Sequence, residues 1–430
     1  MKKNILVFPC GSEIALEVYR AVNHSTHFNL IGANSIEDHG QFVFENYIGD
    51  LPFITSPDFL EKFRQVICDN NIDAIYPAMD AVIELLKNNE DFLGCKVVSS
   101  PIETTQICLS KSKTYKVLEN VVKVPKTFIA NELVIAGKPF PVFAKPDIGY
   151  GSRGAKKISS VEDLKAHLDL YPSCILSEFL PGKEYTVDCF SSHNGELLFA
   201  AARERCRIMN GISVNTKPVK ESAEEFEEFA KKINSAIKFS GAWFFQVKRD
   251  KNGELTLLEV ASRFGGSSSL FRAQGINFAL MSLFDAFDIP VSILRNGYDV
   301  IMDRALDNKY KLDLKYSEVF VDFDDCIYLE KQFVNDALMA FLYRCVNKGI
   351  KVTLLSRHDD EKLGKLDELL DKLRIRQIFD RIIHLDPSQK KIDFIDNTDS
   401  IFIDDSFAER KAIANKFNIP VFSLDMIEAL

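Results

Sequence analysis

Three groups of residues along the 430-residue chain have the types and spacing that chemistry on phosphate needs. In the first, the apolar segment Phe143-Ala144-Lys145-Pro146 ends in a lysine, and Gly149-Tyr150-Gly151-Ser152-Arg153-Gly154 follows it. A lysine at a strand end supplies a point charge, and glycines let backbone N–H groups close over an anion. Ser152 and Arg153 add a hydroxyl and a guanidinium within the same loop. The spacing does not match G-x-x-x-x-G-K-[ST], so this is not a P-loop.

In the second group, Gln246 and Glu259 flank Asp250-Lys251-Asn252-Gly253, a turn sequence for a β-hairpin. Across two antiparallel strands the amide and the carboxylate can face each other, a donor pair that suits Mg²⁺ with phosphate oxygens completing its shell. Arg263 and Gly265-Gly266 come next, and a guanidinium there can stabilise charge in phosphoryl transfer. Arg203, Arg205 and Arg207 alternate, so a strand places all three on one side as an anion cradle for substrate. The plainer alternatives are a surface hairpin with a salt bridge and a solvated charged strand.

The third group comprises two strand-end acidic clusters. Glu318–Val321 runs into Asp322-Phe323-Asp324-Asp325-Cys326, and Ser400–Ile403 runs into Asp404-Asp405. Carboxylates crowded together repel unless a cation is present, and the carboxyl edge of an open α/β sheet is where ligands bind. If both strands lie in one parallel sheet, their ends converge on a Mg²⁺ site.

The elements that must position these groups fall into three stretches. Strand and helix patterns alternate over residues 1–107 (strands at Asn4–Phe8, Phe28–Ala33, Ala74–Pro77 and Lys96–Ser99), which implies βαβ units and a parallel sheet. Residues 108–312 read as an α+β unit with hairpins, and Asp307–Lys315 as a polar linker or crossover. The βαβ rhythm returns over 316–430. The fold class expected is α/β and α+β, multidomain.

Composition sets the outer limits. Hydrophobic residues make up 46% and charged residues 27%, as in an ordinary globular protein, and a net charge of −9 argues against a nucleic-acid or anionic-membrane partner. No apolar run reaches the roughly 18 residues needed to span a bilayer. Nine cysteines without a C-x-x-C pair suit reduced thiols, so a cytoplasmic location is expected. The seven histidines form no zinc-binding spacing.

Taken in order, the motifs of residues 1–310 resemble the ATP-grasp superfamily, including carbamoyl phosphate synthetase and carboxylate–amine ligases. Leu109-Ser110-Lys111-Ser112-Lys113 is similar to its first lysine segment, with Lys113 the implied phosphate contact, and Lys145 to its second. Gly151, Ser152 and Arg153 fall in the flexible lid. Leu176 through Asp188 resembles the adenine hinge, which implies that Glu178, Phe179 and Leu180 meet adenine and Glu184 the ribose. Gln246 and Glu259 match the metal strands and Arg263 the catalytic arginine; residues 1–107 match the Rossmann-like domain that precedes the grasp. One departure stands out: the family reads Glu-x-Asn-x-Arg where this chain has Glu259-Val260-Ala261-Ser262-Arg263. Water or Ser262 completes the coordination, or one metal binds tightly, or turnover is compromised.

Residues 316–430 resemble the haloacid dehalogenase-like (HAD) phosphatases, a Rossmann-like fold, with no room for a large cap. The resemblance implies Asp322 as nucleophile, Asp324 as acid/base, Ser356 and Lys391 (Lys390 its rival) as phosphoryl contacts, and Asp322, Asp324, Asp404 and Asp405 as the Mg²⁺ site. Cys326 reads as a small packing residue. Together the two resemblances imply a bifunctional enzyme using ATP and Mg²⁺, with Mn²⁺ an alternative ion. A small-molecule carboxylate activated as an acyl phosphate and attacked by an amine is the first implied reaction; hydrolysis of a phosphorylated small molecule is the second. A kinase built on the grasp fold and a non-catalytic nucleotide sensor are the competing readings, and assembly is open, a homodimer included.

Overall fold

The computed structural model describes residues 2–136, 140–149, 153–209 and 211–430. Gly151 and Ser152 lie outside the described residues. Two compact units divide the chain, Met1–Asp307 and Asn308–Leu430, so the stretches 1–107 and 108–307 belong to one unit.

Unit 1 opens with a five-stranded parallel sheet of β1 (Lys3–Phe8), β2 (Phe28–Ala33), β3 (Tyr47–Ile48), β4 (Ala74–Pro77) and β5 (Lys96–Val97), in the order β3-β2-β1-β4-β5. β1 and β4 read as nearly unbroken apolar runs because both faces of the sheet are covered. The helix Glu13–Val22 has Ser12 as its N-cap, accepting from the Ala15 N–H, and a second helix, Asp80–Asn88, follows β4. Their first turns carry Glu13 and Asp80 to the cleft described below.

A four-stranded antiparallel sheet follows, made of β6 (Thr127–Phe128), β7 (Val142–Pro146), β8 (Lys156–Ile158) and β9 (Cys174–Glu178) in the order β6-β9-β7-β8. The larger antiparallel sheet runs β14-β13-β10-β11-β12-β15, built from β10 (Glu184–Ser191), β11 (Leu197–Met209), β12 (Ile212–Pro218), β13 (Gly241–Arg249), β14 (Leu255–Ala261) and β15 (Met302–Asp303). β11 runs as far as Met209 because β12, which carries no plain apolar alternation, pairs with its polar half. One face of this sheet packs Trp243, Phe245, Val247, Leu255, Leu257 and Val260 against the helix Ala223–Ala236, whose Phe226, Phe229 and Ile233 are buried.

Unit 2 is a five-stranded parallel sheet, β20-β19-β16-β21-β22, formed by β16 (Glu318–Val321), β19 (Lys351–Ser356), β20 (Arg381–His384), β21 (Ser400–Ile403) and β22 (Val421–Phe422). A small hairpin of β17 (Tyr328–Leu329) and β18 (Phe333–Val334) is the insertion between β16 and the helix Asp336–Asn347. Residues Asp307–Lys315, read as a linker, are irregular and almost wholly exposed. Among the described residues no helix is long and apolar enough to cross a membrane.

Phe245 is fully buried and stacks on Phe229 at 5.5 Å and near Trp243 at 5.9 Å between ring centroids. Replacing it by alanine is expected to cost about 3–5 kcal/mol through lost transfer energy and a cavity. Urea unfolding followed by fluorescence of Trp243, the chain's one tryptophan, should show the midpoint fall accordingly.

Candidate active sites

The unit 1 cleft has a volume of about 750 Å³ and is lined from β7, β9, β10, β11, β12, β13 and β14 and from the segments that follow β1 and β4. Its geometry turns on one irregularity. Gln246 pairs directly with Glu259, but the next pair is Val247 with Leu257, so Leu258 is an extra residue bulged out of β14. Leu255 and Leu257 point into the core, and strict alternation would send Glu259 after them; the bulge reverses the phase, so Glu259 lines the cleft while Val260 returns to the core. The bulge also frees the Leu258 carbonyl, which accepts hydrogen bonds from Lys145 Nζ at 2.8 Å and Tyr115 Oη at 2.8 Å.

Lys145, at the end of β7, is thus fixed above β14 and also lies over the Tyr115 ring at 5.4 Å. Burial lowers its ammonium to about 8, with Lys111 adding to the fall and Glu259 opposing it. Lys111 lines the cleft and reaches the carbonyls of Asp147 and Gly149, each at 3.3 Å. Lys113, the residue expected there, is exposed on the helix Lys111–Leu118. Two residues along a helix is a turn of about 200°, so the two lysines cannot share a face, and the first one faces the cleft.

The three alternating arginines are not equivalent. Arg203 is buried against Asp188, with Nε–Oδ2 2.6 Å and Nη2–Oδ1 3.4 Å, and its Nη1 has no hydrogen-bond partner among the described residues. Gly265 packs so tightly on this pair that a Cβ there would lie 2.8 Å from Arg203 Nη2. Arg205 pairs with Glu184 and donates to Gln246 Oε1 at 2.9 Å and to the Gly211 carbonyl at 2.7 Å. Arg207 does not join them: a register shift between Arg205 and Arg207 carries it out to Asp303 on β15 at 2.8 Å, where it is exposed. The expectation that all three face one side fails for that reason.

Arg263 lines the cleft and makes two 2.8 Å bonds to Asp80, whose charge holds the guanidinium above its usual value although burial acts to lower it. Asp80 came without a motif; only the start of a helix after a buried strand pointed to it. Glu178, Phe179, Leu180, Glu184 and Arg153 also line the cleft. Glu178 accepts from the Lys126 N–H at 2.9 Å, and Lys157 stands over the Phe179 ring at 4.6 Å. Gln246 Oε1 and the Glu259 carboxylate are hard oxygen donors and fit a Mg²⁺ ion; Ala261 adds none.

In unit 2 the central position of β16 places the ends of β16, β19 and β21 side by side, and with them Asp322, Ser356 and Asp404. Lys391 bridges Asp322 at 2.7 Å and Asp404 at 2.6 Å. Burial works to lower this ammonium, but the two carboxylates hold it above its ordinary value. Asp404 is raised by burial and by repulsion from Asp322, against the pull of Lys391. Asp322 Oδ1 and Ser356 Oγ are buried with no partner among the described residues, an acceptor and a donor kept unspent at the same strand ends.

Ligand atoms of Asp322, Cys326 and Asp405 lie within 4.8 Å of one another. Burial raises the Cys326 thiol far above its usual value, so it stays protonated and suits packing rather than Mg²⁺; the two carboxylates fit that ion. Asp404, expected among the metal anchors, gives its carboxylate instead to Lys391 and the Ser406 N–H at 2.8 Å. Asp324 is held by His358, with Nδ1 2.9 and 3.0 Å from its two oxygens, and burial raises its carboxyl while the imidazole lowers it. His358 itself is fixed by the Gly364 carbonyl, 2.7 Å from Nε2. Its only sequence signal was its place two residues after Ser356.

Comparison with known proteins bears on unit 1. A family model described as ATP-grasp in the biosynthetic pathway with Ter operon matches residues 171–296. The chain is 29% identical over 233 residues to the vancomycin/teicoplanin A-type resistance protein VanA of Enterococcus faecium, covering 46% of this chain and 66% of that one. It is 28% identical over 152 residues to a D-alanine–D-alanine ligase of Thermotoga petrophila, covering 33% and 49%. The chain therefore spans about half to just under two thirds of the length of these relatives. Among solved structures, the biotin carboxylase domain of Hydrogenobacter thermophilus 2-oxoglutarate carboxylase, in complex with MgADP, ADP and bicarbonate, superposes with a TM-score of 0.60 at 15% identity, over 70% of this chain and 74% of that one. The chain is a mixed α/β, multidomain protein with fold neighbours of the ATP-grasp type.

Removing Arg203 strands the fully buried Asp188 without a counter-charge. Arg203→Ala is expected to destabilise the protein by about 3–5 kcal/mol, whereas Arg203→Met combined with Asp188→Leu should recover most of the loss. Thermal or urea unfolding of the three proteins gives the comparison directly.

Proposed function

We propose that unit 1 is an ATP- and Mg²⁺-dependent ligase that activates a small-molecule carboxylate as an acyl phosphate for attack by an amine, and that unit 2 is an aspartate-nucleophile phosphohydrolase. The observation that carries the first reading is the gathering of Lys145, Gln246, Glu259 and Arg263 in one cleft, with the Leu258 bulge joining the lysine to the metal strand. The family model and the relatives support it, and the name of the Thermotoga relative supports the choice of an amine as acceptor.

In that reading Lys111 and Lys145 neutralise the nucleotide's phosphates, and the backbone of Glu178–Leu180 receives the adenine edge. Bound at Gln246 and Glu259, Mg²⁺ supplies Lewis-acid charge on the phosphates. Arg263 holds the transferring phosphoryl group, with Asp80 fixing its plane. The substrate carboxylate oxygen forms a bond to the γ-phosphorus as the bond to ADP breaks. The amine then displaces phosphate from the carbonyl carbon and loses a proton. Arg203, with one N–H unspent, is a contact for the substrate anion.

In unit 2, Asp322 attacks phosphorus and displaces the alcohol, which takes a proton from Asp324; water, giving its proton back to Asp324, then releases phosphate from Asp322. Lys391 and Ser356 hold the phosphoryl oxygens. The unspent Oδ1 of Asp322 supports its assignment as the attacking group.

Two measurements test this. Glu259→Ala should abolish carboxylate- and amine-dependent ADP release while sparing phosphate-ester hydrolysis, and Asp322→Asn should do the reverse. Loss of both activities in either folded variant contradicts two separate sites. Because Lys145 titrates near pH 8, its charge is complete below that value and lost above it. Affinity for Mg·ATP should therefore fall as pH rises from 7 to 9, and a Lys145→Met variant should bind weakly with a flatter profile over that range.

A further inference from the structure

The side chains around Glu259 bear on how many divalent cations the unit 1 cleft holds. Its lining carboxylates are Glu13, Asp80, Glu178, Glu184 and Glu259. Four are paired: Glu13 with Arg304 as an ion pair without a hydrogen bond, Asp80 with Arg263, Glu178 with the Lys126 N–H, and Glu184 with Arg205 and, at 3.9 Å, Lys248. Glu259 has neither a hydrogen bond nor an ion pair among the described residues. Gln246 stands opposite it, and the Ala261 side chain further along β14 offers no oxygen.

One carboxylate and one amide oxygen, completed by phosphate oxygens and water, make up the octahedral shell of a single Mg²⁺. A second ion beside the first adds a repulsion that, with no further protein carboxylate free, only the phosphates and Glu259 itself would be left to offset. The nearest other carboxylate by bonding is Glu184, and Arg205 holds it. Arg205 is only 7% exposed in its side chain, is locked by bonds to Glu184, Gln246 Oε1 and the Gly211 carbonyl, and keeps an Nε–H that is buried without a partner among the described residues. A guanidinium is always charged and presents a rigid fork of donors to phosphate.

We infer that the cleft takes a nucleoside triphosphate with one tightly held divalent cation, and that Arg205 supplies the charge a second cation would bring while withdrawing the carboxylate that would bind it. This rests on the reading of unit 1 as a nucleotide-dependent ligase. The test counts Mn²⁺ by electron paramagnetic resonance on the full chain with the non-hydrolysable analogue AMP-PNP, nucleotide and metal being measured after equilibrium dialysis. Wild type should hold one Mn²⁺ per bound nucleotide. Arg205→Ala, which frees Glu184 and Gln246, should rise toward two, and Arg205→Lys should stay at one. Two Mn²⁺ per nucleotide in wild type overturns the inference whether or not the variants fold. Folded Arg205→Ala remaining at one overturns the role given to Arg205. No AMP-PNP binding at all overturns the nucleotide reading itself, an outcome distinct from a count of two.

Discussion

A single extra residue, Leu258, decides which way the acidic side of the unit 1 cleft faces. The hairpin that carries it is closed by Asp250, whose carboxylate accepts the N–H groups of Asn252 and Glu254 at 2.8 and 2.9 Å, and by Gly253 at φ +86°. That turn and the buried stripe of Phe245, Val247, Leu255 and Leu257 fix the register, because a slip of one residue would bring polar side chains into the core. The bulge then lets the chain keep its core contacts on both sides of Glu259 while turning that carboxylate outward. The liberated carbonyl ties down Lys145 and Tyr115. Core packing, strand irregularity and charge placement are thus one linked arrangement.

Unit 2 reaches a comparable result with parallel strands. A central β16 with β19 and β21 as neighbours needs no bulge, since strand ends in a parallel sheet already lie together. What the arrangement needs is compensation for crowded carboxylates, and the buried Lys391 supplies it to Asp322 and Asp404 at once. Unpaired, either carboxylate would be strongly disfavoured at that depth.

Much of this was legible in the residues. β1, β4, β16 and β21 follow from apolar runs bounded by turn residues, and the pairing of Gln246 with Glu259 from a turn sequence at the right distance. What escaped depends on departures from ideal periodicity or on partners far away in sequence. Periodicity alone cannot tell which of Lys111 and Lys113 faces inward without knowing how their helix is rotated. Alternation put Arg207 with Arg203 and Arg205, and a register shift removed it. Asp80 and His358 matter through contacts with Arg263, 183 residues away, and Asp324, 34 residues away, and no local pattern announces either. β12 is a strand because β11 offers it an edge, and β15 because β12 does.

On the proposed function, nucleotide and metal meet at the bulged hairpin of unit 1. Hydrogen exchange of the full chain with and without Mg²⁺ and AMP-PNP tests it most directly. Slowed exchange is expected in peptides covering Lys111, β7, β9 and the β13–β14 hairpin, with those covering Asp322, Ser356 and Asp404 unchanged. Protection that appears in the second set and not in the first would contradict it.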